Sequence, residues 1–182
     1  MASAKANRKT IDTVFILLGT AMTAVLLVAG LLGLVGYRFA TNSVKTELSA
    51  QKIYFPPKGS PALDPAEFPG LQQYAGQLVD NGVKAKAYAN EFIAVHLSKV
   101  AGGKTYSEVS TLAMADPTNT ALQQQKATLF QGEMLRGVLL GDGYAYWTFG
   151  QIAGLAAIAC FTGAAVMGLL VLLGVRHLNR VR

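Results

Sequence analysis

The sequence predicts an all-α integral membrane protein in which two transmembrane helices flank an extracytoplasmic helical bundle. Three observations predict it. Charged residues make up only 14% of the 182 residues, against about a quarter in an ordinary soluble domain. The deficit is concentrated in two runs, 13–37 and 143–175, that contain no Asp, Glu, Lys or Arg. Between them, cap and turn signals alternate with helical apolar spacing, and no alternating strand pattern of useful length occurs.

Residues 1–12 form a basic tail, with Lys5, Arg8 and Lys9 against Asp12. Residues 13–39 read as the first span, because a membrane-crossing helix needs about 20 apolar residues. The run is far longer than a signal-peptide apolar region of about 7–15 residues. It ends in Tyr37-Arg38-Phe39 without a small-residue cleavage pattern, so the span is expected to remain uncleaved.

Residues 40–143 read as one helical domain. Thr41 to Lys52 suits a continuation of the first helix. Segment 54–69 reads as a Pro-rich linker, since Tyr54-Phe55-Pro56-Pro57-Lys58-Gly59-Ser60-Pro61 blocks helix; it is either a spacer or a docking strip. Asp64-Pro65-Ala66-Glu67 carries helix-start chemistry. Leu71, Tyr74, Ala75, Leu78 and Val79 share one helical face, and Asn81-Gly82 is expected to end that helix. A second helix follows from about Val83 to Ala101 and stops at Gly102-Gly103. Thr105-Tyr106-Ser107-Glu108 is a capping box opening a short third helix. Asp116-Pro117 is expected to start a fourth, running to Leu140, with Gly141-Asp142-Gly143 breaking or bending it.

Residues 144–175 read as an interfacial segment followed by the second span, and residues 176–182 as a second basic tail with Arg176, Arg180 and Arg182. Positive charge in short juxtamembrane segments marks the cytoplasmic side. Both termini are therefore expected in the cytoplasm of a plasma-membrane protein, with the central domain outside. Tyr37 and Phe39, and Tyr144, Tyr146, Trp147 and Phe149, then fall at one interface, where amphipathic rings prefer to sit. The net charge of +6 is topology signal and contact with anionic lipid; no basic patch interleaved with aromatics points to nucleic acid.

Little catalytic chemistry is visible. The two histidines, His96 and His177, fall on opposite sides of the expected membrane and cannot share a metal. Metal sites need ligand clusters, and no zinc, redox or nucleotide-binding motif occurs. No cofactor is expected. The single cysteine, Cys160, excludes an intrachain disulfide. His96 suits helix packing, ligand contact or pH sensing. Glu133 and Arg136, at i,i+3 spacing, are either a surface ion pair or a partly buried pair that orients the bundle or meets a partner. The patch from Leu129 to Leu140, with Phe130, Met134, Leu135 and Leu139, is apolar on several sides, as in helices buried on more than one face. Leu129, Phe130, Glu133, Leu135 and Arg136, with His96 and Tyr106, are therefore the candidate contacts to a partner or ligand. Gly150 and Gly154, and Ala29 and Gly33, are small-x-x-x-small pairs that let helices approach closely, either within one chain or between copies.

Three stretches, Phe92 to Leu97, Gly103 to Ser110 and Leu129 to Leu140, together with the flanking spans, resemble a family of small two-span actinobacterial membrane proteins. Its members are often labelled automatically as aromatic ring-opening dioxygenases. The resemblance implies a bacterial plasma-membrane protein. The label does not suit this chain, because a non-haem iron site of that kind needs two histidines and a carboxylate in one cavity. The leading expectation is a non-enzymatic accessory or scaffold subunit of a larger envelope complex, partnered by membrane lipid and by another membrane protein or its own copies. The alternative is an extracytoplasmic ligand- or lipid-binding sensor, with His96, Tyr88, Tyr106 and Glu133 around a pocket, acting through a partner.

Overall fold

A computed structural model describes residues 2–180, with side chains from Arg8 onward. Arg182 and the side chain of Lys5, both counted in the charge argument, lie outside the described residues. Every regular element among the described residues is helical; an isolated antiparallel bridge, Tyr54–Leu78, is the one strand-like feature there. Two helical stretches are long and apolar enough to cross a membrane. The chain divides into two units: residues 1–39 with 150–182, and Ala40–Phe149.

The first unit pairs helix α1 (Ala2–Gln51) with helix α5 (Tyr146–Arg180) over the stretches just given. Their less exposed residues recur at alternating steps of three and four: Ile16, Gly19, Thr23, Leu26, Gly30, Gly33 and Tyr37 on α1, and Gly150, Ala153, Ala157, Cys160, Ala164, Met167, Val171 and Gly174 on α5. That 3.5-residue period keeps one seam facing a partner helix. The pairing is antiparallel. A Cβ on Gly19 would meet Val171 at 2.8 Å, and one on Gly33 would stand 2.9 Å from the Ala153 carbonyl oxygen and 3.1 Å from the Ala157 Cβ. Away from the seam the helices expose large apolar side chains all round, including Phe15, Leu32, Leu155 and Ile158, each more than 60% exposed. The apolar windows of the two stretches are only 11% and 6% buried, which is unlike the core helix of a soluble protein.

In the second unit, α1 continues as far as Gln51 and stops at Lys52, whose φ of 53° lies in the left-handed region. The Pro-rich segment is not a free spacer. Phe55, Leu63 and Phe68 are almost wholly buried, and the backbone N–H groups of Phe55 and Val79 donate to the carbonyls of Gln77 (2.9 Å) and Ile53 (2.8 Å). The expected helix over 71–79 is replaced by a 3-10 run, Pro69–Tyr74, and an extended return. Gly76, at φ 71°, turns the chain so that the backbone of 77–79 pairs with 53–55. Asn81 consequently begins a helix instead of ending one: its side chain accepts from the Lys84 N–H at 3.0 Å.

Helix α2 covers 82–100 in three parts, α-helical Gly82–Ala87, a π-helical turn Tyr88–Ile93, and α-helical Ala94–Val100. It closes with paired bonds from Gly102 N–H to Lys99 O (3.3 Å) and Gly103 N–H to Ser98 O (2.7 Å), the Schellman arrangement. Helix α3 (Tyr106–Ala115) carries the full capping box of Thr105 and Glu108. Helix α4 (Thr120–Val138) starts three residues later than Asp116-Pro117 suggested, because Asn119 provides the cap to the Leu122 N–H.

Gly141-Asp142-Gly143 does not break the chain. It lies in a second π-helical turn, Leu139–Ala145, that leads from α4 into α5. A mid-helix glycine costs only about 1 kcal/mol, and here the space is needed: a Cβ on Gly143 would meet the Ala85 Cβ at 3.0 Å and Leu48 at 3.6 Å. Gly82 meets Trp147 as closely, with 2.6 Å from an added Cβ to the indole Cγ. The core gathers Val44 and Leu48 of α1, Phe55, Leu63 and Leu71, then Ala85, Ile93 and Leu97 of α2, Val109 of α3, and Leu129 and Leu139.

Candidate functional site

The sequence patch at 129–140 separates into two faces. Leu129 is 2% exposed and belongs to the core, and Leu135 packs against that core. Leu129 is therefore not a free contact for a partner, and Leu135, partly buried, spends part of its surface in holding α4 to its neighbours. Phe130 is 52% exposed, and Met134 and Val138 are exposed with it. Steps of four residues put these three on one outward stripe of α4. The Tyr106 ring lies 5.7 Å from that of Phe130 and extends the apolar surface onto α3, where Leu112 and Met114 are also exposed. Val138 joins Phe130 and Met134 through the four-residue step, a signal the sequence contained.

Glu133 and Arg136 are paired at 2.8–2.9 Å, both carboxylate oxygens accepting from one guanidinium nitrogen. Arg136 does more than pair. Its Nε–H donates to the Ala89 carbonyl at 3.1 Å, and the guanidinium also reaches Asn90 Oδ1 at 3.3 Å. Ala89 and Asn90 lie in the π-turn of α2, so Arg136 ties α4 to α2. Of the roles open to this pair, the orienting one is visible in the geometry.

His96 stands in an aromatic run. Its ring stacks on Phe68 with centroids 5.4 Å apart and planes 4° apart, and contacts Phe92 at 4.4 Å. Tyr88 continues the run to Phe55, and burial raises the Tyr88 pKa above its ordinary 10.0. His96 Nδ1 lies 2.9 Å from the Phe92 carbonyl, which requires a proton on that nitrogen. The structure thus places Tyr88 and His96, both partly buried, in one aromatic run, while Glu133 pairs with Arg136 and Tyr106 with Phe130. Among the described residues no group of three or more His, Cys, Asp or Glu is arranged to hold a metal.

Of the small residues, Gly33 and Gly150 lie in the seam, and Gly154 faces the Tyr37 ring, with 2.9 Å from an added Cβ. Ala29 is exposed. The intramolecular reading of these pairs is the one the geometry carries for Gly33 and Gly154. Comparison with family models, with curated proteins and with solved structures returned no match.

Proposed function

We propose that the chain is a two-span plasma-membrane protein with both termini in the cytoplasm, and that it acts as a non-enzymatic accessory subunit whose outer helical unit docks onto another membrane protein. The observation that carries the docking reading is the outward stripe of Phe130, Met134 and Val138, flanked by Tyr106. The unit already has a well-filled core, so these side chains are surplus to its folding. Contiguous exposed apolar surface of this kind marks interaction sites, and aromatic and Met residues are enriched in the cores of interfaces. The membrane reading draws on the apolar faces of α1 and α5 and on the basic residues that flank them.

The test is co-purification of the full-length protein in a mild neutral detergent, read by native gel and mass spectrometry. A membrane-protein partner in fixed stoichiometry is expected. The Phe130→Ala/Met134→Ala variant is expected to lose at least tenfold in affinity, or about 1.4 kcal/mol, with its melting temperature unchanged. A chain that runs alone, or a partner retained by the double variant, overturns the docking reading. Topology is checked separately in a Cys160→Ser background. An impermeant maleimide should label Ser110→Cys in intact cells and leave Ser3→Cys unlabelled.

A further inference from the structure

An open groove of about 380 Å³ lies within the second unit, between the last turns of α1 and the π-turn that precedes α5. Val44 and Leu48 form its floor, and Val138 and the ring of Tyr146 its apolar wall. Its two ionisable groups besides that phenol are both acids, Glu47 and Asp142. Neither carboxylate has a hydrogen-bond or ion-pair partner among the described residues, whereas Asp80, Glu67 and Glu133 each have one. Val138, Asp142 and Tyr146 line the same groove at successive four-residue steps along the helical chain.

We infer that this groove binds a membrane lipid whose headgroup carries a protonated primary amine. The inference rests on the membrane placement proposed above. Val44 lies five residues beyond Phe39 on one continuous helix, about 8 Å along its axis, a distance that matches the headgroup layer flanking the hydrocarbon. An amphiphile there presents a charged head beside an acyl stem, and the groove offers the complement of both. The ammonium answers the two carboxylates through charge-assisted bonds. The stem lies against Val44, Leu48 and Val138. Ser43, Gln51 and the Tyr146 hydroxyl, also in the lining, supply neutral donors for the headgroup's phosphate or ester oxygens. A purely anionic headgroup is repelled by the same pair of acids.

The experiment is native mass spectrometry of the full chain in neutral detergent, titrated with phosphatidylethanolamine, phosphatidylcholine and phosphatidylglycerol of matched acyl chains. One phosphatidylethanolamine per chain is expected, with at least tenfold weaker binding of phosphatidylcholine, which lacks N–H donors, and of phosphatidylglycerol. The Glu47→Gln/Asp142→Asn variant should lose that preference with helix content and melting temperature unchanged. Glu47→Lys/Asp142→Lys should turn it toward phosphatidylglycerol. Equal binding of the three lipids, an unaltered preference in the double amide variant, or a protein segment cross-linked through a photoreactive residue at Tyr146 in place of lipid overturns the inference. Failure of the membrane reading is distinguishable: the protein would then leave the membrane fraction in alkaline carbonate without detergent, whatever the lipid titration gives.

Discussion

Arg136→Ala separates the two roles open to the Glu133–Arg136 pair, and its cost follows from the contacts. Loss of the ion pair alone is a small effect, because Glu133 is about half exposed and exposed pairs contribute about 0–1 kcal/mol. Loss of the bond from Arg136 Nε to the Ala89 carbonyl is larger, since bonds to charged groups contribute about 1.5–3 kcal/mol. The upper end does not apply. Ala89 O also accepts the Ala94 N–H of the π-turn, so the substitution leaves no orphaned carbonyl. Arg136→Ala should therefore cost about 2 kcal/mol, and Glu133→Gln less than about 0.5 kcal/mol. For a unit of this size that corresponds to a fall of roughly 8 °C for Arg136→Ala and hardly any for Glu133→Gln. The assay is thermal unfolding in neutral detergent followed by near-ultraviolet circular dichroism. Equal effects of the two substitutions, or an Arg136→Ala effect below 0.5 kcal/mol, would refute the view that Arg136 acts chiefly across helices.

Four further outcomes follow, two from the packing and two from shifted pKa values. Gly82→Ala brings a Cβ to 2.6 Å from the Trp147 Cβ, an atom that no rotamer change moves, so it should cost about 1–3 kcal/mol and red-shift the fluorescence of the chain's single tryptophan. Gly33→Leu meets the Ala153 carbonyl and should slow disulfide formation between Leu26→Cys and Gly163→Cys in a Cys160→Ser background, whereas Gly36→Ala, with 3.7 Å of clearance, should not. The backbone and hydroxyl bonds of Thr105 hold the Glu108 carboxyl below its ordinary range, with Lys104 adding to the effect. Its contribution is present above pH 4.5 and lost as pH falls through the lower folded value, so Glu108→Gln should flatten the acid limb of a stability profile. Burial raises the Tyr88 pKa, so its contribution fades as pH climbs above about 10 and Tyr88→Phe should flatten the alkaline limb.

The helical class, the two long apolar helices, the capping box at Thr105 and the stop at Gly102-Gly103 were legible because each rests on local chemistry or long periodicity. The 71–79 segment was not. Its apolar spacing fits a helix, but the return of the chain at Gly76 and the pairing of 77–79 with 53–55 are non-local. Gly141-Asp142-Gly143 reads locally as a break, and only the approach of Ala85 and Leu48 shows why small residues within a continuous helix serve there. The burial of Leu129 beside the exposure of Phe130 depends on which side of α4 meets α2, a rotation that an apolar stretch on several faces leaves undetermined. The carboxylates of the groove, Glu47 and Asp142, lie 95 residues apart in the sequence, and no spacing rule brings them together. The alternating three-and-four seam on α1 and α5 was in plain view, but it mixes Gly and Ala with larger residues such as Ile16, Leu26 and Met167, and the small-x-x-x-small rule, which samples steps of four alone, caught fragments of it.

That seam also imposes a pattern on sequence drift. Positions such as Gly19, Gly33, Ala157 and Ala164 admit almost no enlargement, while the outward positions between them accept any aliphatic side chain of similar transfer free energy. A saturation survey of the two helices should therefore show intolerance to added volume recurring every three and four residues. The same survey should show intolerance to added charge at nearly every position between those. The first selection acts on size and the second on polarity, and the phase between them would give the rotation of each helix without any further structure.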